Sequence, residues 1–210
     1  MTNRDDHALA QSQLGEELSS STATASKIDM GRILDQIIAD NAGLTLGAYR
    51  DLKAFDASLN EEAVKYWGAP PHSWPPLHFN WDHREESQRF ALDGMRADSF
   101  AKAYPDGLRL GQVSLAEFDR HLCHFNRRSA DGLWEGGFQS SLARMIVYLH
   151  RGLPITPPLV FVVDGELALA GGNHRYAAAK ASGLEVLHIY VEPRRVAVVE
   201  RLIQVEWLSV

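Results

Sequence analysis

Apolar side chains recur with a helical period in the first part of the chain. Ile33, Leu34, Ile37 and Ile38 follow one another at spacings that line a single face of an α-helix. Gly43 comes shortly after them, and glycine commonly ends a helix because it accepts a left-handed backbone. The pattern therefore predicts an amphipathic helix that ends near Gly43.

The pattern changes twice after this helix. We predict a second helix over Leu59–Trp67 and a third over residues 84–102. Between them, residues 68–82 contain four prolines and two tryptophans, a composition that excludes a regular helix. We expect this stretch to form an extended strap that packs its aromatic rings on the rest of the protein. Residues 28–106 together are predicted to form a helical, Pro- and Trp-rich N-terminal extension.

From residue 107 onwards, short strands alternate with helices. Asp164 and Gly165 are typical of the tight turn of a β-hairpin, and Ser114 is a favoured helix N-cap. The predicted elements are strand Leu108–Val113, the helix after Ser114, helix Phe138–His150, strands Leu159–Val163 and Leu167–Ala170, a helix opened by Asn173, strand Val186–Val191 and a final helix begun by Pro193. This order predicts an α+β domain over residues 107–210, a small mixed sheet with packed helices, with an α/β domain as the nearby alternative.

Composition narrows the classes of function. The formal charge of −6 argues against a broadly basic nucleic-acid surface, so a DNA partner is possible but not favoured. No apolar run approaches the roughly 18 residues that span a bilayer, and no membrane partner is expected. Residues 1–27 are polar, lack the apolar core of a secretory signal and are expected to be a disordered tail. A single cysteine, Cys123, agrees with a reducing compartment, and the expected location is cytoplasmic.

The stretch most indicative of function is Gly171-Gly172-Asn173-His174-Arg175, between a predicted strand and a predicted helix. Two glycines allow a sharp turn and a close approach of the backbone to a ligand. Asn173 is a favoured N-cap, and the first turn of a helix is a ready anion site. His174 and Arg175 add a titratable donor and a cation suited to phosphate. An ordinary glycine turn with a capping Asn173 explains the same residues equally well, and in either case we expect Arg175 at the surface.

This stretch, continued by Tyr176 and two alanines, resembles the box of the ParB/sulfiredoxin superfamily. ParB-type domains carry Gly-Glu-Arg-Arg, sulfiredoxins carry Gly-Gly-Cys-His-Arg, and the box holds the phosphates of a nucleotide between a hairpin strand and a helix. The resemblance is tight over residues 169–184 and looser from about residue 107 to 197. It implies a nucleoside triphosphate, ATP or CTP, bound with Mg²⁺. It also implies that polar residues of the preceding helix reach the same phosphates, here Arg144, Ser140 and Ser141.

The chain departs from that superfamily at one decisive position. Asn173 stands where sulfiredoxins have their cysteine nucleophile, and an amide cannot replace a thiolate. Cys123 is 50 residues away, and nothing in the pattern brings it to the box. Sulfinic-acid reduction is therefore not expected. The helix-turn-helix reader of ParB proteins is not expected either, since the predicted elements end with the helix begun by Pro193.

Three hypotheses remain for the function. The first is a nucleotide-dependent phosphotransferase or NTPase in which residues 171–175 form the phosphate cradle, with Glu117 or Glu135 as a candidate general base. The second is a non-catalytic nucleotide-sensing or DNA-associated regulator whose N-terminal extension binds a protein partner. The third is a nuclease, which the acidic charge and the lack of a clustered carboxylate motif count against. We favour the first.

The other titratable side chains have ordinary explanations. His72, His78 and His83 lie near Asp82, but their spacing matches no compact ligand motif, and no metal site is predicted. Lys180 lies two turns into the helix after the box and is expected to face solvent.

Overall fold

The computed structural model describes residues 29–92, 94–129, 132–134 and 139–209. The expected tail over residues 1–27 and the candidate base Glu135 lie outside these residues. The chain divides between Ala54 and Phe55 into two compact units. Within the described ranges, no helix has both the length and the apolar character needed to cross a membrane.

The smaller unit contains helix α1, Met30–Ala42, and the first part of helix α2, Leu46–Ala63. Asp29 caps α1, because its carboxylate accepts a hydrogen bond from the backbone N–H of Arg32. Gly43 ends α1 in the left-handed conformation at φ 69°. The helix end predicted near Gly43 is therefore confirmed.

Two predicted helices have different bounds in the structure. The helix expected over Leu59–Trp67 is the end of α2, and a 3₁₀ turn, Val64–Tyr66, follows it. The helix expected over residues 84–102 is divided into a 3₁₀ helix, Glu85–Leu92, and a separate short α-helix. Gly94 lies in the break at φ 88°, a conformation that a right-handed helix cannot contain.

The larger unit contains the sheet. Its elements, in chain order, are β1 (Asn80–Trp81), α3 (Ala97–Ala103), β2 (Arg109–Ser114), α4 (Leu115–His121), α5 (Gln139–His150), β3 (Pro154–Ile155), β4 (Leu159–Val163), β5 (Glu166–Gly171), α6 (Asn173–Ala181), β6 (Val186–Val191), α7 (Val196–Val199) and β7 (Glu206–Trp207). The strand order in the main sheet is β5-β4-β6-β2-β7. β4 and β6 run parallel, and the other neighbours run antiparallel. The predicted α+β class with a mixed sheet is confirmed.

Local signals in the sequence correspond to local structure in this unit. Asp164 and Gly165 have φ values of 51° and 81°, as a tight hairpin turn requires, and they join β4 to β5. The Ser114 hydroxyl accepts a hydrogen bond of 3.4 Å from the backbone N–H of Glu117 at the start of α4. The predicted hairpin and the predicted helix cap are both confirmed.

The Pro- and Trp-rich strap belongs to the same compact unit as the sheet. Asn80 and Trp81 pair in parallel with Pro154 and Ile155, and the rings of Phe79 and Trp81 pack against the buried core. The compact unit that contains the sheet begins at residue 55 and includes the strap. The sequence analysis predicted that the sheet domain begins at residue 107.

Both faces of the main sheet are covered. On one face, α4 and α6 contribute Phe118 and Tyr176, which are fully buried. α5 packs against α6, where Ile146 meets Ala177 and Ala178. On the other face, a cluster around Tyr190 includes Ala91, from the 3₁₀ helix Glu85–Leu92. The turn from β5 to α6 thus lies between a helical layer and this 3₁₀ segment.

Candidate functional site

The glycine box forms the turn from β5 to α6. β5 ends at Gly171, Gly172 has φ 90°, and α6 begins at Asn173. No side chain caps the helix, so the expectation that Asn173 is the N-cap is wrong. Asn173 is instead the first helical residue, and its side-chain oxygen accepts a hydrogen bond of 2.7 Å from Asn126.

The two glycines allow other segments of this chain to approach the turn closely. A Cβ atom on Gly171 would overlap the backbone carbonyl oxygen of Ala91. A Cβ atom on Gly172 would lie 2.6 Å from Cβ of Pro158. Since Ala91 belongs to Glu85–Leu92, we name this 3₁₀ segment the cover helix. From the sequence, we expected a ligand to approach these glycines closely. In the structure, the protein's own backbone makes this close approach.

Arg175 lies inside the protein, so the expectation that it is at the surface is wrong. Only 6% of the residue is exposed. One terminal nitrogen donates to the carbonyl oxygens of Thr156 and Pro157. The other donates to those of Phe90 and Ala91, each at 3.3 Å. The planar fork of a guanidinium suits such paired acceptors, and Arg175 thereby ties the turn to two other segments.

Two box side chains remain accessible. Asn173 and His174 are half-buried, in contrast to the buried Gly171, Gly172 and Arg175. Both lie in the first turn of α6, where the positive end of the helix dipole favours a negative charge. An anion that reaches this turn would therefore meet Asn173 and His174.

Cys123 lies close to the box in space, contrary to the sequence expectation. Its thiol donates to the side-chain oxygen of Asn126 at 3.1 Å, and the Asn126 amide nitrogen donates to Asn173. The backbone N–H of Leu169 donates to the same Asn126 oxygen at 3.0 Å. Cys123 reaches this position because its own N–H donates to the carbonyl of Leu167 at 2.7 Å. The sequence carries no signal for this pairing of distant segments.

A carboxylate that the sequence analysis did not single out connects α4 to α6. The Tyr176 hydroxyl donates to Asp119, and so does the Lys180 ammonium, at 2.7 Å. Burial raises the pKa of Asp119, but the hydrogen bonds from Lys180 and Tyr176 outweigh it and hold the pKa below the usual range. Burial, followed by the contact with Asp119, raises the pKa of Tyr176. Lys180 also donates to the carbonyl of Arg128 at 2.7 Å, so the expectation that it faces solvent is wrong.

A small cleft lies along α6 between Ala177 and Ala181. Its volume is about 230 Å³. His174, Ala177 and Ala181 are spaced by three and four residues, which places them on one face of the helix. The cleft is lined by Pro71, Arg128, Ser129, Leu133, Ala177, Lys180 and Ala181.

The remaining candidates from the sequence have partners outside the box. Arg144 on α5 donates to Asp56 on α2 at 2.8 Å. Ser140 and Ser141 are exposed at the start of α5. The carboxylate of Glu117, a candidate base, accepts a hydrogen bond from the backbone N–H of Gln204 at 3.3 Å, which holds it beside the chain segment before β7.

His83, directly after the strap, contacts β6. Nε2 of His83 lies 2.8 Å from Nδ1 of His188 on β6. The two rings are within 20° of coplanar and their centroids are 4.9 Å apart, so the two nitrogens face each other in a hydrogen bond. Burial, followed by the neighbouring His83, lowers the pKa of His188. Among the residues that the structure describes, no three His, Cys, Asp or Glu side chains are arranged to hold a metal ion.

No protein-family model, no curated protein and no solved structure matches this chain. A function therefore has to be inferred from the residues of this site.

Proposed function

We propose that this protein binds the phosphates of a nucleoside triphosphate, ATP or CTP with Mg²⁺, at the first turn of α6. The observation that carries the proposal is the position of Asn173 and His174, which are half-buried at the start of a nine-residue helix directly after a strand and a glycine turn. The N-terminus of such a helix is a general binding site for phosphate. The order of hairpin strand, turn and helix supports a distant relationship to the ParB/sulfiredoxin superfamily.

The cleft along α6 is suited to the rest of the nucleotide. It begins one turn after His174 and contains two cationic residues, Arg128 and Lys180, beside apolar walls from Leu133 and Ala177. Its volume of about 230 Å³ lies just below the 300–1,000 Å³ typical of ligand pockets, so a bound nucleotide would stay partly exposed. In this assignment the phosphates lie at His174 and the nucleoside extends towards Lys180.

Arg175 has a supporting role in this proposal. Its guanidinium holds the carbonyl groups of Phe90 and Thr156 in place around the turn, and so fixes the direction in which the helix N-terminus points. Direct contact with phosphate is assigned to His174 and Asn173, because these are the accessible side chains of the box.

Transfer or hydrolysis of the γ-phosphate is the activity that this binding mode would serve. A second candidate is nucleotide sensing without turnover. One observation favours it: Asp119 contacts α6, and its carboxylate oxygen already accepts hydrogen bonds from Tyr176 and Lys180. A carboxylate whose pKa lies below its usual range is a weak general base.

The proposal is tested by calorimetric titration of the full chain with ATP and CTP, each with and without Mg²⁺. We expect His174→Ala and Asn173→Ala to weaken binding about tenfold or more, equivalent to roughly 1.4 kcal/mol. His72→Ala is the matched control, since His72 is exposed on the strap. Binding of neither nucleotide, or equal affinity in the two box variants and the control, would contradict the proposal. Formation of ADP or CDP, measured with and without an added acceptor, separates turnover from sensing, because hydrolysis and transfer both leave the nucleoside diphosphate.

A further inference from the structure

Helix α1 presents a row of large apolar side chains to solvent. We name it the α1 stripe: Met30, Ile33, Leu34, Ile37 and Ile38. These residues are 62%, 43%, 53%, 52% and 45% exposed. Their spacing of three and four residues is the one by which an amphipathic helix normally faces a protein core. Single exposed apolar residues are common, but a continuous row of five marks a contact surface.

The opposite side of α1 is the side that packs within the small unit. Ala39 is fully buried, and Asp35 accepts a hydrogen bond of 2.8 Å from Lys53 on α2. Asp35 also lies 3.7 Å from Arg50. α1 therefore turns Asp35 towards α2 and its most apolar face outwards. This is the reverse of what an isolated helical pair would favour, and it indicates that another surface covers the stripe.

We propose that the α1 stripe is a homodimer interface, formed by α1 of a second copy of this chain. The proposal is independent of nucleotide binding. At roughly 200 Å² for a fully exposed large apolar residue, the five exposed fractions amount to roughly 500 Å² in one copy. Two apposed stripes would bury about 1,000 Å², the lower bound for a specific interface, and an isologous contact needs only this one patch.

The charges around the stripe favour an antiparallel arrangement. Asp40 follows Ile33 by seven residues and Ile37 by three, so it borders the stripe at the C-terminal end of α1. A parallel pair would bring two Asp40 carboxylates together. An antiparallel pair places each Asp40 near the positive N-terminal end of the partner helix. In that pair, centred between Asp35 and Gln36, Leu34 of one copy lies opposite Ile37 of the other.

The polar side of α1 argues against a lipid surface as the occupant. It carries one cation, Arg32, and two acidic residues, Asp35 and Asp40. Helices that lie on anionic membranes are instead rich in lysine and arginine on the polar face.

Light scattering and sedimentation equilibrium of the full chain test the proposal. We expect a mass of twice 23.4 kDa for the natural sequence. Leu34→Glu together with Ile37→Glu should weaken dimerisation by roughly 100-fold or more, because each charge would be buried in the seam. Val198→Glu, at a residue that is 39% exposed in the other compact unit, should leave the dimer intact. Circular dichroism of each variant confirms that its helices are retained.

Two results would overturn the proposal: a monomeric natural chain at about 100 μM, where an interface of this size should associate, or a dimer that persists in the double variant. Disulfide trapping gives a second test that does not depend on charged substitutions. In a Cys123→Ser background, we expect Leu34→Cys and Ile37→Cys chains to cross-link with each other when mixed. Cross-linking of Met30→Cys chains with themselves would show a parallel pair and overturn the arrangement.

Discussion

At Gly171 the absence of a side chain is required by the protein's own packing. Replacement by alanine would place a Cβ atom on the carbonyl oxygen of Ala91, and neither backbone can move away easily. We expect Gly171→Ala to lower the free energy of unfolding by about 2–3 kcal/mol, as overpacking of a buried site does. Urea denaturation measures the change. Gly47→Ala is the control: its Cβ would have no neighbour nearer than 4.0 Å, and alanine favours the helix.

Arg175 also stabilises the turn through buried hydrogen bonds. We therefore expect its replacement to lower the free energy of unfolding more than it lowers the affinity for nucleotide. Lysine keeps the charge but cannot donate to Thr156 and Phe90 at the same time. We expect Arg175→Lys to cost about 3 kcal/mol, because buried carbonyl groups lose their donors. Arg194→Ala, at an exposed arginine, should leave the urea midpoint unchanged. Equal midpoints for the two variants would contradict the supporting role of Arg175.

Residue-level inference from sequence succeeded where the cause is local. Ser114 and the pair Asp164-Gly165 depend on neighbours a few residues away, and their roles are confirmed. The roles of Arg175 and Cys123 depend on segments that approach from elsewhere in the chain. A buried arginine and a surface arginine look alike in a sequence, and only the carbonyl groups around Arg175 distinguish them.

At the scale of elements, the hydrogen bond between His83 and His188 joins the residue that follows the strap to β6. One ring must donate and the other must accept, so protonation of both breaks the bond. The pKa of His188 is lowered in the folded state, and the unfolded chain therefore binds a proton more readily below about pH 6.5. We expect the free energy of unfolding to be largest above pH 6.5 and to fall as the pH drops below it.

Urea denaturation between pH 7.5 and 5.5 checks this expectation. His188→Gln should be less stable at pH 7.5 but should lose less stability on acidification than the natural sequence. Parallel pH profiles for the two proteins would show that other groups cause the acid sensitivity.

The strands and helices of the sheet were more predictable than the segments that cover it. β4 and β6 stand out in the sequence as short, nearly continuous apolar runs, because most of their residues are at least partly buried. The cover helix has no comparable pattern, and its close approach to the glycine turn at Ala91 joins segments that are far apart in the sequence. The short strands β1, β3 and β7 each have two residues, too few for any period to be read.

At the scale of the whole molecule, the sequence predicts a sheet domain from residue 107, where the pattern of elements changes, and the compact unit that contains the sheet begins at Phe55. The reason is that Phe79, Trp81 and Ala91 pack against residues of the sheet that lie far away in sequence. The α+β class could be predicted because it depends on element order. The bounds of the compact unit depend instead on which elements touch, and element order does not contain that information.

The hydrogen bonds that Arg175 makes to four backbone carbonyl groups also have a consequence for how the chain folds. Its hydrogen bonds to Phe90 and Ala91 span 85 and 84 positions, and those to Thr156 and Pro157 span 19 and 18. A contact of high sequence separation forms only after the loop between its ends has closed, which makes it late and slow. During synthesis, residues 85–92 are made long before Arg175, so their hydrogen bonds to it form only after Arg175 has been added to the chain. The glycine turn is therefore among the last parts of the molecule to acquire its final shape.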